Sequence, residues 1–255
     1  MAKPLIPWMG SKRRLAKRIT PLFPEHTCYV EPFAGAGGMF FSKEESKVEV
    51  LNDIDGDIVN LYRVVKHHIE PLYQEFKWSL TSREQWQWLN DTPPEALTDI
   101  QRAARFLYLQ KLAFGGKAHG RTYGTTTTTR PKLNLLTLEE DLIDMHQRLS
   151  GVQIERKPWQ DIVQRYDRPH TLFYCDPPYW GTAGYGHEFG FEHYEEMAEM
   201  MRSIKGTMLI SINDHPDIRE VFRGLFMTEI TTIYTVGGNG KSTRAAELLI
   251  SNTPL

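Results

Sequence analysis

Short β-like runs alternating with helical patterns constrain this chain more than any other feature. Seven runs are rich in β-branched or aromatic residues: residues 28–31 (CYVE), 48–52 (VEVLN), 152–155 (VQIE), 171–175 (TLFYC), 207–212 (TMLISI), 226–234 (FMTEITTIY) and 247–251 (ELLIS). Helical signals lie between most of them. Ser11 is placed to cap a helix with an apolar face of Leu15, Ile19 and Leu22. Ile58, Leu61, Tyr62 and Val65 recur at helical spacing, as do Phe191, Tyr194, Met197, Ala198 and Met201. Such alternation predicts an α/β fold, a sheet joined by crossover connections. Only a turn-like stretch, residues 235–245, separates the last two runs, so they should form an antiparallel hairpin at the sheet edge. The expected fold is therefore a seven-stranded mixed sheet.

The alternation breaks between about residues 60 and 149, where helical signals dominate. Thr81 with Glu84 reads as a capping box, and residues 95–112 as one long amphipathic helix. A loop follows, containing five consecutive threonines, Thr125 to Thr129. The region is expected to be a mainly helical insert, 60–149, in a sheet unit made of 1–59 and 150–255.

The basic residues are unevenly spread. The 255 residues carry 30 Lys and Arg against 32 Asp and Glu. Yet Arg102, Arg105, Lys111, Lys117, Arg121, Arg130 and Lys132 follow one another with no acidic residue between them. Lys12, Arg13, Arg14, Lys17 and Arg18 add a second group. Segregation of this kind suits a face turned to phosphates. No apolar run approaches the roughly 20 residues that span a bilayer, and the N-terminus lacks the apolar core of a signal peptide. Two cysteines, Cys28 and Cys175, make no disulfide framework, and a reducing cytoplasm is expected.

Three motifs carry chemistry. In the first, the run ending at Glu31 leads into Pro-Phe33-Ala-Gly35-Ala-Gly37-Gly, a strand followed by a glycine-rich turn, with a helix expected from about Gly37. Glycine permits close backbone approach and positive φ, and ligands sit at such strand ends. A dinucleotide fingerprint would need Gly or Ala at position 40, which is Phe40. Glu31 suits an amino group better than a pyrophosphate, which points to S-adenosylmethionine. In the second motif, Asp53 ends the next strand, where a carboxylate can accept ribose hydroxyls. Asp53 or Asp55 could equally cap the following helix. The third motif, Asp176-Pro177-Pro178-Tyr179, directly follows TLFYC. The prolines remove two donors and stiffen the turn. The Asp176 carboxylate and Pro177 carbonyl can then accept both hydrogens of an exocyclic amine while Tyr179 stacks on a base.

In these motifs and their order the chain resembles the Dam-like DNA adenine-N6 methyltransferases along nearly its whole length. Trp8-Met-Gly10-Ser-Lys12 resembles the family's N-terminal element, residues 30–37 its cofactor loop, the segment from Phe106 its target-recognition region, and residues 174–179 its catalytic motif. The resemblance implies the S-adenosylmethionine-dependent methyltransferase fold, a seven-stranded sheet whose last strand is antiparallel, and gives residues 60–149 a DNA-recognition role. It implies that Trp8 and Lys12 contact the cofactor, Lys12 through the cofactor's carboxylate, that Asp53 holds the ribose, and that Trp159 packs on the adenine. Two departures stand out. Pro158 replaces the family's Asp before that aromatic, leaving Asp161 as the alternative partner for the adenine amine. Phe114-Gly115-Gly116 stands where the family often shows aromatic-Asn-Gly, so the recognition sequence is not legible.

The expected reaction is methyl transfer to N6 of an adenine flipped out of double-stranded DNA, with catalysis by positioning and electrostatics. Lys111, Lys117, Arg121 and Arg130 are the candidate DNA contacts. Cytosine-C5 methylation needs a cysteine nucleophile, and Cys175 and Cys28 read as core residues. Cytosine-N4 methylation would be served by the same acceptor pair. RNA or protein-amide methylation on this fold, and a catalytically silent DNA-binding relative, are the remaining rivals. A partner restriction nuclease would have to be encoded separately. Gly237-Gly-Asn-Gly-Lys-Ser-Thr243 fails the phosphate-loop spacing at Thr235; it reads instead as a hairpin loop able to touch DNA through Lys241 or Arg244. The nine histidines show no metal-ligand spacing.

Overall fold

Alternate residues of the central strands are apolar on both sides, the pattern of strands covered on both faces. The computed structural model describes residues 2–182, 189–235 and 242–255, and for residues 231–235 and 242–246 the backbone alone. Its strands are β1 (Cys28–Glu31), β2 (Val48–Asn52), β3 (Gln153–Glu155), β4 (Thr171–Cys175), β5 (Thr207–Asn213), β6 (Phe226–Thr235) and β7 (Ser242–Ser251). They form one sheet in the order β3-β2-β1-β4-β5-β7-β6. The first five are parallel, and β7 runs antiparallel between β5 and β6. All seven predicted runs are strands, and the last two pair as the expected antiparallel hairpin. Of the turn-like stretch expected over residues 235–245, position 235 belongs to β6 and 242–245 to β7, while 236–241 lie outside the described residues.

The two faces carry separate apolar layers. Tyr29, Leu51, Leu172, Tyr174 and Leu209 face one side. Val30, Val50, Phe173, Cys175 and Ile210 face the other. The first layer is covered by α1 (Ala16–Ile19), α2 (Gly56–His67), α3 (Ile69–Gln74), α4 (Arg83–Asp91), α5 (Asp99–Leu112) and α6 (Leu135–Leu149). The second is covered by α7 (Trp159–Tyr166), α8 (Glu192–Ser203) and α9 (Pro216–Val221). Cys28 and Cys175 are buried in that second layer, as expected of core residues. Helices α3 to α5 belong to the long excursion between β2 and β3. Helix α2 runs across position 60, and its Ile58, Leu61, Tyr62 and Val65 join the same apolar layer as Phe106 and Leu109 of α5. The sheet unit and the helical region thus share one core.

Several local expectations shift. Ser11 makes no side-chain cap; residues Lys12–Arg14 form a 3-10 turn before α1. No α-helix starts at Gly37: the chain passes through turns into a 3-10 segment, Phe40–Ser42. Ser82, not Thr81, caps α4. The long helix starts four residues later than expected, at Asp99, because Thr98 and Gln101 form a complete capping box there. Trp86 is buried and donates to the Leu109 carbonyl (3.1 Å), while Trp88 is exposed on the opposite face of α4. The threonine run lies in a loop with a bend, where Thr126 Oγ1 accepts from the Thr129 backbone (3.2 Å).

One charged cluster ties the helical region to the sheet. Glu49 of β2 accepts from Lys43 (2.5 Å) and is forked by the Arg148 guanidinium of α6. All three side chains have little exposure, and Arg148 also lies 3.7 Å over the Phe40 ring. Removing the carboxylate would strand two buried cations. Glu49→Ala is therefore expected to cost about 3–5 kcal/mol, measured as a lowered urea midpoint at unchanged m-value.

Candidate active site

Parallel strand order reverses between β1 and β4, because β1 sends its chain toward β2 on one side while β4 and β5 extend the sheet on the other. Ligands bind outside the carboxyl ends of strands at such a switch point. Here a cleft of about 1040 Å³, counting space open to solvent, is lined by Trp8, Glu31, Phe33, Gly35 and Asp53, and by Lys12, Asp176 and Pro178.

The glycine turn forms one wall. Gly35 (φ +48°) and Gly37 (φ +68°) take the left-handed conformation that other residues resist. A Cβ on Gly35 would lie 3.0 Å from Trp8 Nε1, and one on Gly37 would collide with the Phe41 ring at 2.7 Å. Gly35 thus lines the cleft, whereas Gly37 serves packing behind it. The turn is fastened from β2: Asn52 donates to the Pro32 carbonyl (2.9 Å), and Gly35 N donates to Asp53 Oδ2 (2.8 Å). Asp53 Oδ1 accepts from Asp55 N (2.9 Å), so the carboxylate is oriented at the cleft wall. Asp55 takes the capping role, accepting from Asp57 N at the start of α2 (2.8 Å).

The opposite wall is the Asp-Pro-Pro-Tyr turn. Asp176 Oδ1 lies 2.5 Å from Lys12 Nζ and accepts from Ser211 Oγ of β5 (3.4 Å). Tyr194 of α8 donates to the Pro178 carbonyl (2.6 Å), pinning the turn to the second layer. Tyr179 has its ring 4.7 Å from Lys12 Nζ, and its buried hydroxyl has no hydrogen-bond partner among the described residues. Lys12 is 3% exposed and also donates to the Gly10 carbonyl (3.0 Å). A second carboxylate, Glu247 of β7, stands 3.4 Å from the same ammonium.

Burial would push the Lys12 ammonium down, but Asp176 and Glu247 overcome it and hold it above the usual lysine range. Burial raises Asp176, against the pull of Lys12 and Ser211. Burial also raises Glu31 to about 8, although Tyr29 donates to it at 2.6 Å. Glu247 is raised to about 7 by burial, opposed by Lys12 and reinforced by Asp176.

Lys12 lines the cleft with Asp176 and Glu247 against its ammonium. Several other expected site residues sit elsewhere than the sequence suggests. Trp159 is not on the cleft wall; it is buried behind Phe33, with ring centroids 6.3 Å apart. Asp161 is exposed in the first turn of α7. The basic stretch is divided. Arg102 pairs with Asp57 (2.5 Å), and Arg105 is buried, donating to the Leu89 and Asn90 carbonyls. Arg121 donates to Gln110 (3.0 Å), and Lys111 lies 4.0 Å from Asp141 with little exposure. Lys117 and Arg130 are exposed. Lys241 and the Arg244 side chain lie outside the described residues. Asn213 donates to the Trp180 carbonyl (3.0 Å), and His215 caps α9. Sequence reasoning missed Ser211, Tyr194 and Glu247. A glutamate opening an otherwise apolar strand was the signal available for the last of these.

The pH dependence of stability follows from the raised carboxyls. A carboxyl protonated in the folded protein and ionised in the unfolded chain makes stability fall as pH rises between the two pKa values. For Glu31 that window runs from the ordinary glutamate value of 4.5 to about 8. Denaturant midpoints of the ligand-free protein should decline across it, by a few kcal/mol at most on the order of the shift. Glu31→Gln should flatten the curve.

Comparisons with known proteins agree in one direction. The family model for D12 class N6 adenine-specific DNA methyltransferases matches residues 8–236. A DNA adenine methylase of Haemophilus influenzae is 26% identical, covering 97% of this chain and 92% of that protein. A DNA adenine methylase of Escherichia coli K12 is 24% identical over 96% and 92% of the two chains. The type II methyltransferase M1.LlaDCHI of Lactococcus lactis is 24% identical over 98% and 95%.

Proposed function

Because the chain belongs to the D12 class N6 adenine-specific DNA methyltransferases, we propose that it methylates adenine N6 at specific DNA sites in the cleft between the glycine turn and the Asp-Pro-Pro-Tyr turn. The observation that carries this reading is the position of Asp176 on the cleft wall, 24% exposed at the side chain and fixed by Lys12 and Ser211.

The donor set suits S-adenosylmethionine. Glu31 offers a carboxylate to the α-amino group, Asp53 is oriented toward a ribose, Gly35 clears space beside Trp8, and Phe33 gives an apolar surface for the adenine. The cofactor supplies an electrophilic methyl group on a sulfonium. The chain's part is to hold the adenine amine. Its lone pair is delocalised into the ring, and two acceptors on its hydrogens, Asp176 and the Pro177 carbonyl, localise that pair on nitrogen. With the Pro178 carbonyl engaged by Tyr194, the motif's geometry is set before substrate arrives. Tyr179 provides the ring against which a flipped base stacks, offsetting an unstacking cost of a few kcal/mol.

The DNA is double-stranded, and residues 60–149 form its recognition region. Lys117 and Arg130 are the exposed cations best placed for phosphate contacts, while Lys111 and Arg121 would have to leave internal partners to join them. A separately encoded restriction nuclease is a compatible partner, since one relative is a type II methyltransferase. No helix among the described residues is long and apolar enough to cross a membrane, and we place the protein in the cytoplasm, where its DNA is.

Plasmid DNA incubated with methyl-labelled S-adenosylmethionine should acquire label as N6-methyladenine. Asp176→Ala should reduce the rate on the order of a hundredfold or more. Label in cytosine, or equal incorporation by the variant, would overturn the assignment. Docking of a cationic amino group should also expel the Glu31 proton, so calorimetry in buffers of different ionisation enthalpy should register release of about one proton near neutrality, lost in Glu31→Gln.

A further inference from the structure

Glu247 is a buried carboxylate for which the transfer reaction described above has no use. It lies on β7, paired across the ladder with Asn213 of β5 and Ile230 of β6. It is 2% exposed, and its Oε1 is 3.4 Å from Lys12 Nζ. The same ammonium is 2.5 Å from Asp176 Oδ1. One cation is enough to neutralise Asp176. A second carboxylate on that cation adds like-charge repulsion and desolvation, which favour a bound proton. Asp176, Lys12 and Glu247 thus stand in line from the cleft wall into the sheet, joined by a hydrogen bond between Lys12 and Asp176 and by an ion pair between Lys12 and Glu247.

The reaction leaves a proton to be placed. As the N–C bond forms and the donor's C–S bond breaks, the electron pair of the latter stays on sulfur. The amine nitrogen then carries one hydrogen too many. We propose that Glu247, acting through Lys12, takes up the proton shed by the methylated adenine amine; this rests on the adenine-N6 reading above.

Asp176 receives the proton from nitrogen. Lys12 passes one of its three protons to Glu247 and takes the one from Asp176 in its place. The amine ends neutral, Asp176 is again a carboxylate, Lys12 is again an ammonium, and Glu247 is protonated until the cleft opens to water. The groups facing Glu247 allow this. Lys12 lowers its proton affinity, while Asp176 and burial raise it, leaving the carboxyl at about 7. Tyr174 is held far above the titration range and stays neutral. Glu247 is a positioning residue in this scheme: it touches neither substrate nor cofactor and works through the Lys12–Asp176 pair.

Two measurements test the relay. The first is single-turnover methyl transfer at saturating DNA and cofactor, where docking has already ionised Glu31. The native rate should rise with pH through about 7. In Glu247→Gln it should be slower, on the order of a hundredfold above neutrality, and independent of pH. Glu247→Asp, which keeps the carboxylate, should retain the rising profile at a lower rate. The second needs no turnover. In ligand-free protein with 13C-labelled glutamate carboxyls, one resonance should titrate near 7 and vanish in Glu247→Gln. An unchanged pH profile in Glu247→Gln, a flat profile in Glu247→Asp, or no lost resonance overturns the relay. Native protein that labels no adenine N6 removes the reading beneath it, and the relay with it.

Discussion

A lysine ammonium almost without solvent joins three distant parts of the sequence. Lys12 brings together the N-terminal segment, the end of β4 and the antiparallel strand β7. Buried charges survive only when paired and hydrogen-bonded. The ammonium has two carboxylates and the Gly10 carbonyl around it. Placing Lys12 therefore places Asp176, and Asp176 sets where a target amine can lie. The mixed sheet matters here: were β7 elsewhere, no strand from the far end of the chain would reach this pair.

The cleft's two walls are built from different interactions. The glycine turn is held by hydrogen bonds from Asn52 and Asp53, short-range links between adjacent strand ends. The proline turn is held by an ion pair and by Tyr194 from the opposite layer. The first wall is rigid and largely backbone, as befits a surface that a cofactor lies against. The second carries the polar side chains on which transfer depends. Both rest on strands whose residues alternate between two apolar layers, so neither wall can shift without disturbing a packed layer.

Much of this was legible in the residues. The strands appear in sequence because β-branched and aromatic runs are bounded by turns and charged residues, and Asp-Pro-Pro-Tyr stands out because two prolines after an apolar strand serve no ladder. Helix starts were read less well. Thr81 and Ser82 are both competent caps, and geometry alone chose the second. The Trp159 position shows a different limit: a residue next to a site in sequence can lie one layer behind it, with Phe33 taking the exposed place. Glu247 was missed because its significance depends on a partner 235 positions earlier in the chain, which no local pattern reveals.

The basic stretch has a consequence for ionic strength. Protein–DNA affinity falls with salt in proportion to the number of phosphates neutralised, each adding about 0.9 to the logarithmic slope. Arg102 is paired with Asp57, and Arg105 is buried against backbone carbonyls. Neither can neutralise a phosphate without giving up that partner. The protein should grip its substrate with a shallower salt dependence than seven adjacent cations suggest, and more of its discrimination must then come from shape and base contacts than from charge.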